Sequence, residues 1–406
     1  MFPRGSDARR PGPSFLAALL VAFVAGGLFT WVLTPTPACG ETGCPPPAEP
    51  PVPNVTLTDI GFADMPGWAE DDLEPALAAF RTSCAGIVVD AGRFTKFDGF
   101  GSPGAWAKAC AAAFATEPGG ARAFFEANFT PARASDGAAG EGKVTGYYEP
   151  ELKGARLASA AYPAPIYARP RDLVSADPEA FRAVLRGERL SGKVVDGVLT
   201  PYETRAEIES AGLKDRADTL LYLPSVADAF FLQIQGSGRV TLAEGGAVRL
   251  NYAAQNGHRY TAIGAALIAE GAIPREKMSM QAIRDWLAAN PDRAAEIMNL
   301  NASYVFFREL PLDDPSLGPP GGEGVALTPG RSLAVDSRLY PYGLPVFVSA
   351  TGTGEGDIAR LMIAQDTGGA IRGVVRGDIF FGWGNAAESA AGATNAPATF
   401  IVLRPR

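Results

Sequence analysis

LMIAQDTGGAIRGVVRGDIFFGWGN, residues 361–385, reads as strand, turn and strand. An apolar run at 361–364 leads to Asp366, a glycine turn follows, and a second strand enters at Asp378 and runs through Ile379, Phe380 and Phe381. Two carboxylates therefore stand at strand ends. Gly368, Gly369, Gly373, Gly377, Gly382 and Gly384 crowd the same stretch, a density that suits positive φ or close approach of backbone to a bound molecule. Such a stretch is suited to the floor of a catalytic site. Around it, short apolar runs at 332–335 (ending at Asp336), 344–349, 359–365, 377–381 and 399–403 carry β signals joined by glycine-rich connections. Strands of this kind predict a small barrel.

Moving towards the N-terminus, residues 312–323 are rich in proline and glycine and read as a linker or crossing loop. Residues 303–308 read as a strand, preceded by a helix that starts after Ser279, with Ile283, Trp286 and Leu287 on one face, and by another at 260–270. AFFLQIQ, 229–235, alternates towards Gln233 and Gln235 and predicts a strand with both amides on one face. Those amides either line a groove or bond internally. Thr204 with Glu207 forms a capping box that starts a short helix, and KVTGYYE, 143–149, is a strand ended by Pro150. Before it, Leu73, Leu77 and Phe80, then Trp106, Cys110 and Phe114, then Phe125 and Phe129 recur at helical spacing. These aromatics are expected in a core. The texture changes after Gly154 to proline-punctuated strands and reverts near Pro311.

The 406 residues leave room for two domains, and 47% hydrophobic residues supply a core. Glycine (47) and proline (34) are abundant, which favours a turn-rich, mainly β protein with helices. A net charge of −8 without a basic stripe argues against nucleic acid as a partner. His258 is the one histidine, so a multi-histidine metal site is excluded. No metal or cofactor is called for.

Arg4, Arg9 and Arg10 precede an uncharged apolar run at 15–33, just long enough to cross a bilayer. The arginines place its short side in the cytoplasm and the rest of the chain outside. An uncleaved anchor is expected on the periplasmic side of a bacterial envelope membrane; a cleaved signal peptide and lipidation of Cys39 are the alternatives. Proline-rich residues 34–56 read as a spacer. Export makes a Cys84–Cys110 disulfide reasonable, and two buried thiols remain the other option.

Asp336, Asp366 and Asp378 each border an apolar strand. A carboxyl pressed against Phe380, Phe381 and Trp383 is desolvated, which raises its pKa until it can hold a proton near neutrality. A protonated acid beside a groove is what glycosidic cleavage requires. Aspartates at turns also cap backbone N–H groups. Asp-Thr-Gly at 366–368 is shared with aspartic peptidases, but those need a second such loop, and Asp336-Ser337-Arg338 lacks the glycine.

VTGYYEPEL (144–152), PYETRAEIE (201–209), FFLQIQGSGRV (230–240), YAAQNGHRYTAIG (252–264), MSMQAIRDWL (278–287), NASYVFF (301–307), AQDTGGAIRG and GDIFFGWG occur in one order. In them the chain resembles the membrane-bound lytic murein transglycosylase A family from about Pro66 onward. The resemblance implies a double-psi β-barrel catalytic domain at 57–152 and 312–406, a β-rich, barrel-like domain inserted at 153–311, and a glycan groove between them. It implies cleavage of the MurNAc-β-1,4-GlcNAc bond of peptidoglycan strands to leave 1,6-anhydromuramic ends, with Asp378 as acid and then base. Asp366 and Asp336 are expected in support, and Gln233, Gln235, Tyr147 and Glu149 along the groove. The competing functions are an inverting hydrolase on the same barrel and a non-catalytic wall-binding protein. Protein partners in wall synthesis or division are not specified by the sequence.

Overall fold

A computed structural model describes residues 54–137, 140–182, 190–312 and 314–406. The apolar run at 15–33, the spacer up to residue 53 and Cys39 lie outside these residues. Among the described residues no helix is long and apolar enough to cross a membrane.

The first part is helical, as the aromatic spacing predicts. β1 (Thr56–Asp59) is followed by α1 (Glu74–Val89), α2 (Pro103–Ala115), α3 (Ala121–Asn128), β2 (Phe129–Ser135) and β3 (Gly142–Glu149). Phe80, Trp106, Phe125 and Phe129 are fully buried, and the Phe94 and Trp106 rings stack 4.1 Å apart. Phe114 departs from expectation: it is 55% exposed, because it lies on the solvent side of α2. Cys84 on α1 and Cys110 on α2 form a disulfide with their Cα atoms 5.4 Å apart.

The middle part holds β4 (Glu151–Gly154), β5 (Ala164–Tyr167), β6 (Val174–Ala176), β7 (Leu190–Val195), β8 (Val198–Pro201), α4 (Arg205–Ala211), β9 (Thr219–Leu223) and α5 (Val226–Gln235). It continues through β10 (Ser237–Leu242), β11 (Ala247–Gln255), α6 (Ile263–Ala269), α7 (Met280–Ala289), α8 (Pro291–Asn299) and β12 (Val305–Pro311). Its main sheet has the order β12-β11-β10-β4. Bridges Ala155–Tyr222 and Ala168–Phe307 join that sheet to the β5–β9 pair at both edges, which closes a second barrel-like layer. The capping box at Thr204 forms as expected, with Glu207 answering the Thr204 N–H.

The predicted strand at 229–235 is instead the helix α5. Ser225 caps it by accepting the Asp228 N–H, and Gly236 ends it with φ 79°. A serine cap and a left-handed glycine bracket an apolar segment of helix length, and those signals outweigh two alternating glutamines at its end.

The last part carries β13 (Ser332–Val335), β14 (Pro345–Thr353), β15 (Gly356–Asp366), β16 (Arg376–Trp383), α9 (Gly384–Ala393) and β17 (Asn395–Pro405). These are the five predicted strands: β13 has the expected bounds, β14 starts one residue later and runs on to Thr353, and β15, β16 and β17 extend beyond the expected ranges at both ends. The sheet order β17-β14-β15-β13-β16-β3, with β17 also pairing with β3, closes a six-stranded barrel. The sixth strand is β3, contributed from far upstream.

Candidate active site

Strand direction gathers the carboxylates at one end of the barrel. β13 and β15 run parallel, so their C-terminal ends, Asp336 and Asp366, emerge together. β16 runs antiparallel to β13 and starts at that end, which sets Asp378 beside Ala334. β3 runs parallel to β16 with Thr145 opposite Asp378 and Tyr147 opposite Phe380. Side chains two apart on a strand share a face, so Thr145 with Tyr147, and Arg376 with Asp378, face the same way. The pairing requires Gly146, because a Cβ there would come within 2.7 Å of the Ala391 Cα of α9.

Asp378 is half-buried. Its Oδ1 accepts the Thr145 hydroxyl at 2.7 Å, and no other protein hydrogen bond reaches this carboxyl among the described residues. Burial pushes its pKa up to about 6; the Thr145 hydrogen bond and the Arg376 charge pull it down, and the Asp366 charge pushes it up further. Arg376 in turn donates to the Thr145 oxygen at 3.0 Å. A donor held by a cation on one side and an acid on the other leaves Asp378 with one oxygen fixed and one free.

Asp366 is wired differently. Its Oδ1 accepts the Gly322 and Thr367 N–H groups at 2.7 and 2.9 Å, and its Oδ2 accepts the Tyr147 hydroxyl at 2.7 Å. Burial raises its pKa, against the pull of these donors. Both oxygens are occupied. Burial, with the negative charge of Asp366, holds the Tyr147 hydroxyl well above the usual phenol range, so Tyr147 stays a donor.

Asp336 has a fully buried side chain, and Arg338 grips both of its oxygens at 2.9 and 2.8 Å while the Gly373 N–H adds a third contact at 2.9 Å. Burial alone would raise its pKa, but these donors prevail and lower it. It is a fixed anion that ties β13 to the glycine loop after β15.

The residues expected along the groove divide. Tyr147 joins the acid pair. Gln235 accepts the Tyr148 N–H at 3.1 Å and so links α5 to the barrel strand β3. Gln233 is buried and accepts from Arg205 at 2.6 Å. Glu149 is fully buried, with its oxygens held by Arg239 at 2.7 Å and Arg249 at 2.6 Å. Neither Gln233 nor Glu149 presents a free polar edge to a ligand: the segment expected to aim Gln233 outward as a strand is a helix, and both Glu149 oxygens are taken by Arg239 and Arg249. Thr145 and Arg376 went unnoticed in the sequence. The signal that finds them is parity: each stands two residues from a residue that was singled out.

Comparison with known proteins places these features in context. The family model described as "MltA specific insert domain" matches residues 143–308, and the one described as "3D domain" matches residues 331–404. The chain is similar to "Membrane-bound lytic murein transglycosylase A" of Vibrio cholerae serotype O1, with 37% identity over 179 residues, 42% of this chain and 47% of that protein. It thus spans about half the length of this curated relative. Among solved structures, a membrane-bound lytic murein transglycosylase from Agrobacterium tumefaciens superposes with a TM-score of 0.74 at 33% identity, covering 86% of this chain and 98% of that one. MltA from Neisseria gonorrhoeae in its monoclinic form gives 0.71 at 33% identity, covering 91% and 98%.

Proposed function

Because the chain belongs to the membrane-bound lytic murein transglycosylase A family, we propose that it cleaves the MurNAc-β-1,4-GlcNAc bond of peptidoglycan without using water. Protonated Asp378 gives its proton to O4 of the leaving GlcNAc as the C1–O4 bond breaks. The resulting carboxylate then takes the C6 hydroxyl proton as O6 closes on C1, which yields the 1,6-anhydromuramic end. The observation that carries this is the contrast between the acids: Asp378 has one free oxygen and a pKa pushed up to about 6, whereas Asp366 has both oxygens occupied. An inverting hydrolase needs a second carboxylate free to activate water, and Asp366 is engaged elsewhere. Its role in this scheme, with Tyr147, is to shape the site; Asp336 holds the loop.

In the same proposal the catalytic domain comprises 57–152 and 312–406, residues 153–311 form the insert, and the glycan strand lies between them near Tyr147 and Gln235. The relatives are named membrane-bound; for this chain we propose the periplasmic face of an envelope membrane, with residues 15–33 as anchor. Digestion of purified peptidoglycan followed by mass spectrometry of the muropeptides tests the function. Anhydromuramic ends are expected from the wild type, with a loss of about 10²–10⁴-fold in Asp378→Asn. Ends that carry reducing MurNAc, or full activity in Asp378→Asn, would falsify the mechanism.

A further inference from the structure

The proline- and glycine-rich loop before β13 is more than a connector. Glu323 has a side chain only 1% exposed; its Oε1 pairs with Arg93 at 2.7 Å, and its Oε2 accepts the Ser83 hydroxyl at 2.6 Å. Its N–H donates to the Gln365 carbonyl at 3.0 Å, and the Gln365 amide reaches back to Ser83 at 2.9 Å. The loop is thus pinned to α1 on one side and to the end of β15 on the other. The pin sits one residue from Gly322, whose N–H meets Asp366 at 2.7 Å. A Cβ at Gly322 would lie 2.6 Å from the Tyr342 hydroxyl, and one at Gly321 2.6 Å from the Gln365 carbonyl, so only glycines let the strap lie this close.

On the transglycosylase reading above, we propose that Glu323 is a positioning residue: through the Gly322 N–H it keeps Asp366 anionic, and the charge of Asp366 keeps the catalytic proton on Asp378. A carboxylate with three donors favours its charged form; without the Glu323 side chain the strap keeps only its main-chain bond to Gln365, the Gly322 contact loosens, and Asp366 takes up a proton more readily. A neutral Asp366 no longer repels charge on its neighbour, and Asp378 then loses its proton at lower pH. The other groups facing this pair stay in place. Tyr147 and Tyr342 flank Asp366, while Thr145, Arg376 and Tyr260 surround Asp378. On Glu323 itself, Ser83 and Arg93 are the facing groups.

The test uses the full-length protein, with Glu323→Gln and Glu323→Ala compared with wild type for release of anhydromuropeptides from purified peptidoglycan as a function of pH. The alkaline limb of kcat/KM is expected to move to lower pH by roughly half a unit or more in Glu323→Ala and by less in Glu323→Gln. A fall in rate with the limb unmoved, or no change at all, overturns the proposal and leaves Glu323 a packing residue. Carbon-13 NMR titration of the aspartate carboxyls gives a second readout: Asp366 is expected to titrate at higher pH in Glu323→Ala, and an unchanged titration also overturns the proposal. Absence of anhydromuramic ends from the wild type would count against the transglycosylase reading alone, and the NMR titration would then decide the strap.

Discussion

Thr145 has one hydroxyl proton, and Arg376 decides where it goes. With the guanidinium donating to its oxygen, the hydroxyl turns its hydrogen to Asp378 Oδ1. Thr145→Val removes that donor at nearly constant volume, so the charged form of Asp378 loses support and its pKa rises above the value of about 6. Activity that requires the protonated acid is present below this pKa and lost above it. The alkaline limb in Thr145→Val should therefore move to higher pH, opposite to Glu323→Ala, with a several-fold drop in kcat as the carboxyl loses its anchor. Parallel pH–rate profiles of the two variants check the sign; a limb displaced downward in Thr145→Val contradicts the hydrogen-bond assignment. At this scale the sequence discloses which carboxylates stand at strand ends, but not their inequality. The inequality comes from donors such as the Gly322 N–H, brought from 44 positions away, and no local pattern marks such a contact.

Elements were easiest to read where a signal is local. The capping box at Thr204, the barrel strands from β13 to β17 and the periodic aromatics of α1 and α2 all follow from spacing. In α5 two glutamines two residues apart resemble a strand face, whereas the helix is set by the Ser225 cap and Gly236 at the far ends. The Cys84–Cys110 bond could not be chosen from sequence, since it depends on α1 and α2 packing side by side. Both cysteines are fully buried, and the bond spans 26 positions. A closed loop of that size predicts about 3 kcal/mol of stability. The Cys84→Ala/Cys110→Ala double variant should unfold with a free energy lower by about that amount in a denaturant titration. Because Ser83 neighbours Cys84 and holds Glu323, loosening α1 should also be felt at the strap. Equal stability with and without the bond would mean that helix packing alone holds α1.

At the scale of the whole molecule, one carboxylate joins the six-stranded barrel to the β12-β11-β10-β4 sheet. Glu149 ends the barrel strand β3, and Arg239 and Arg249 reach it from the neighbouring strands β10 and β11 of the second sheet. The same guanidiniums donate to the Pro315 and Leu317 carbonyls of the crossing loop, and Arg239 stacks 3.8 Å over the Trp383 ring at the end of β16. Five segments thus converge on a buried site where one anion faces two cations. Such a cluster adds little compared with a packed apolar alternative, but removing its only anion leaves two guanidiniums desolvated and unpaired, a cost of about 3–5 kcal/mol. Glu149→Ala is therefore expected to lower Tm by roughly 5–10 °C. It should also lower kcat/KM, because β3, which carries Tyr147, is no longer tied to β10 and β11. Its alkaline pH limb should stay in place, since neither Asp366 nor Asp378 loses a donor. Differential scanning calorimetry and a pH–rate profile on one preparation separate these effects. A stable variant would show that the existing bonds to the loop carbonyls are enough to hold the guanidiniums, while a displaced limb would show that the junction and the acid pair are electrostatically coupled.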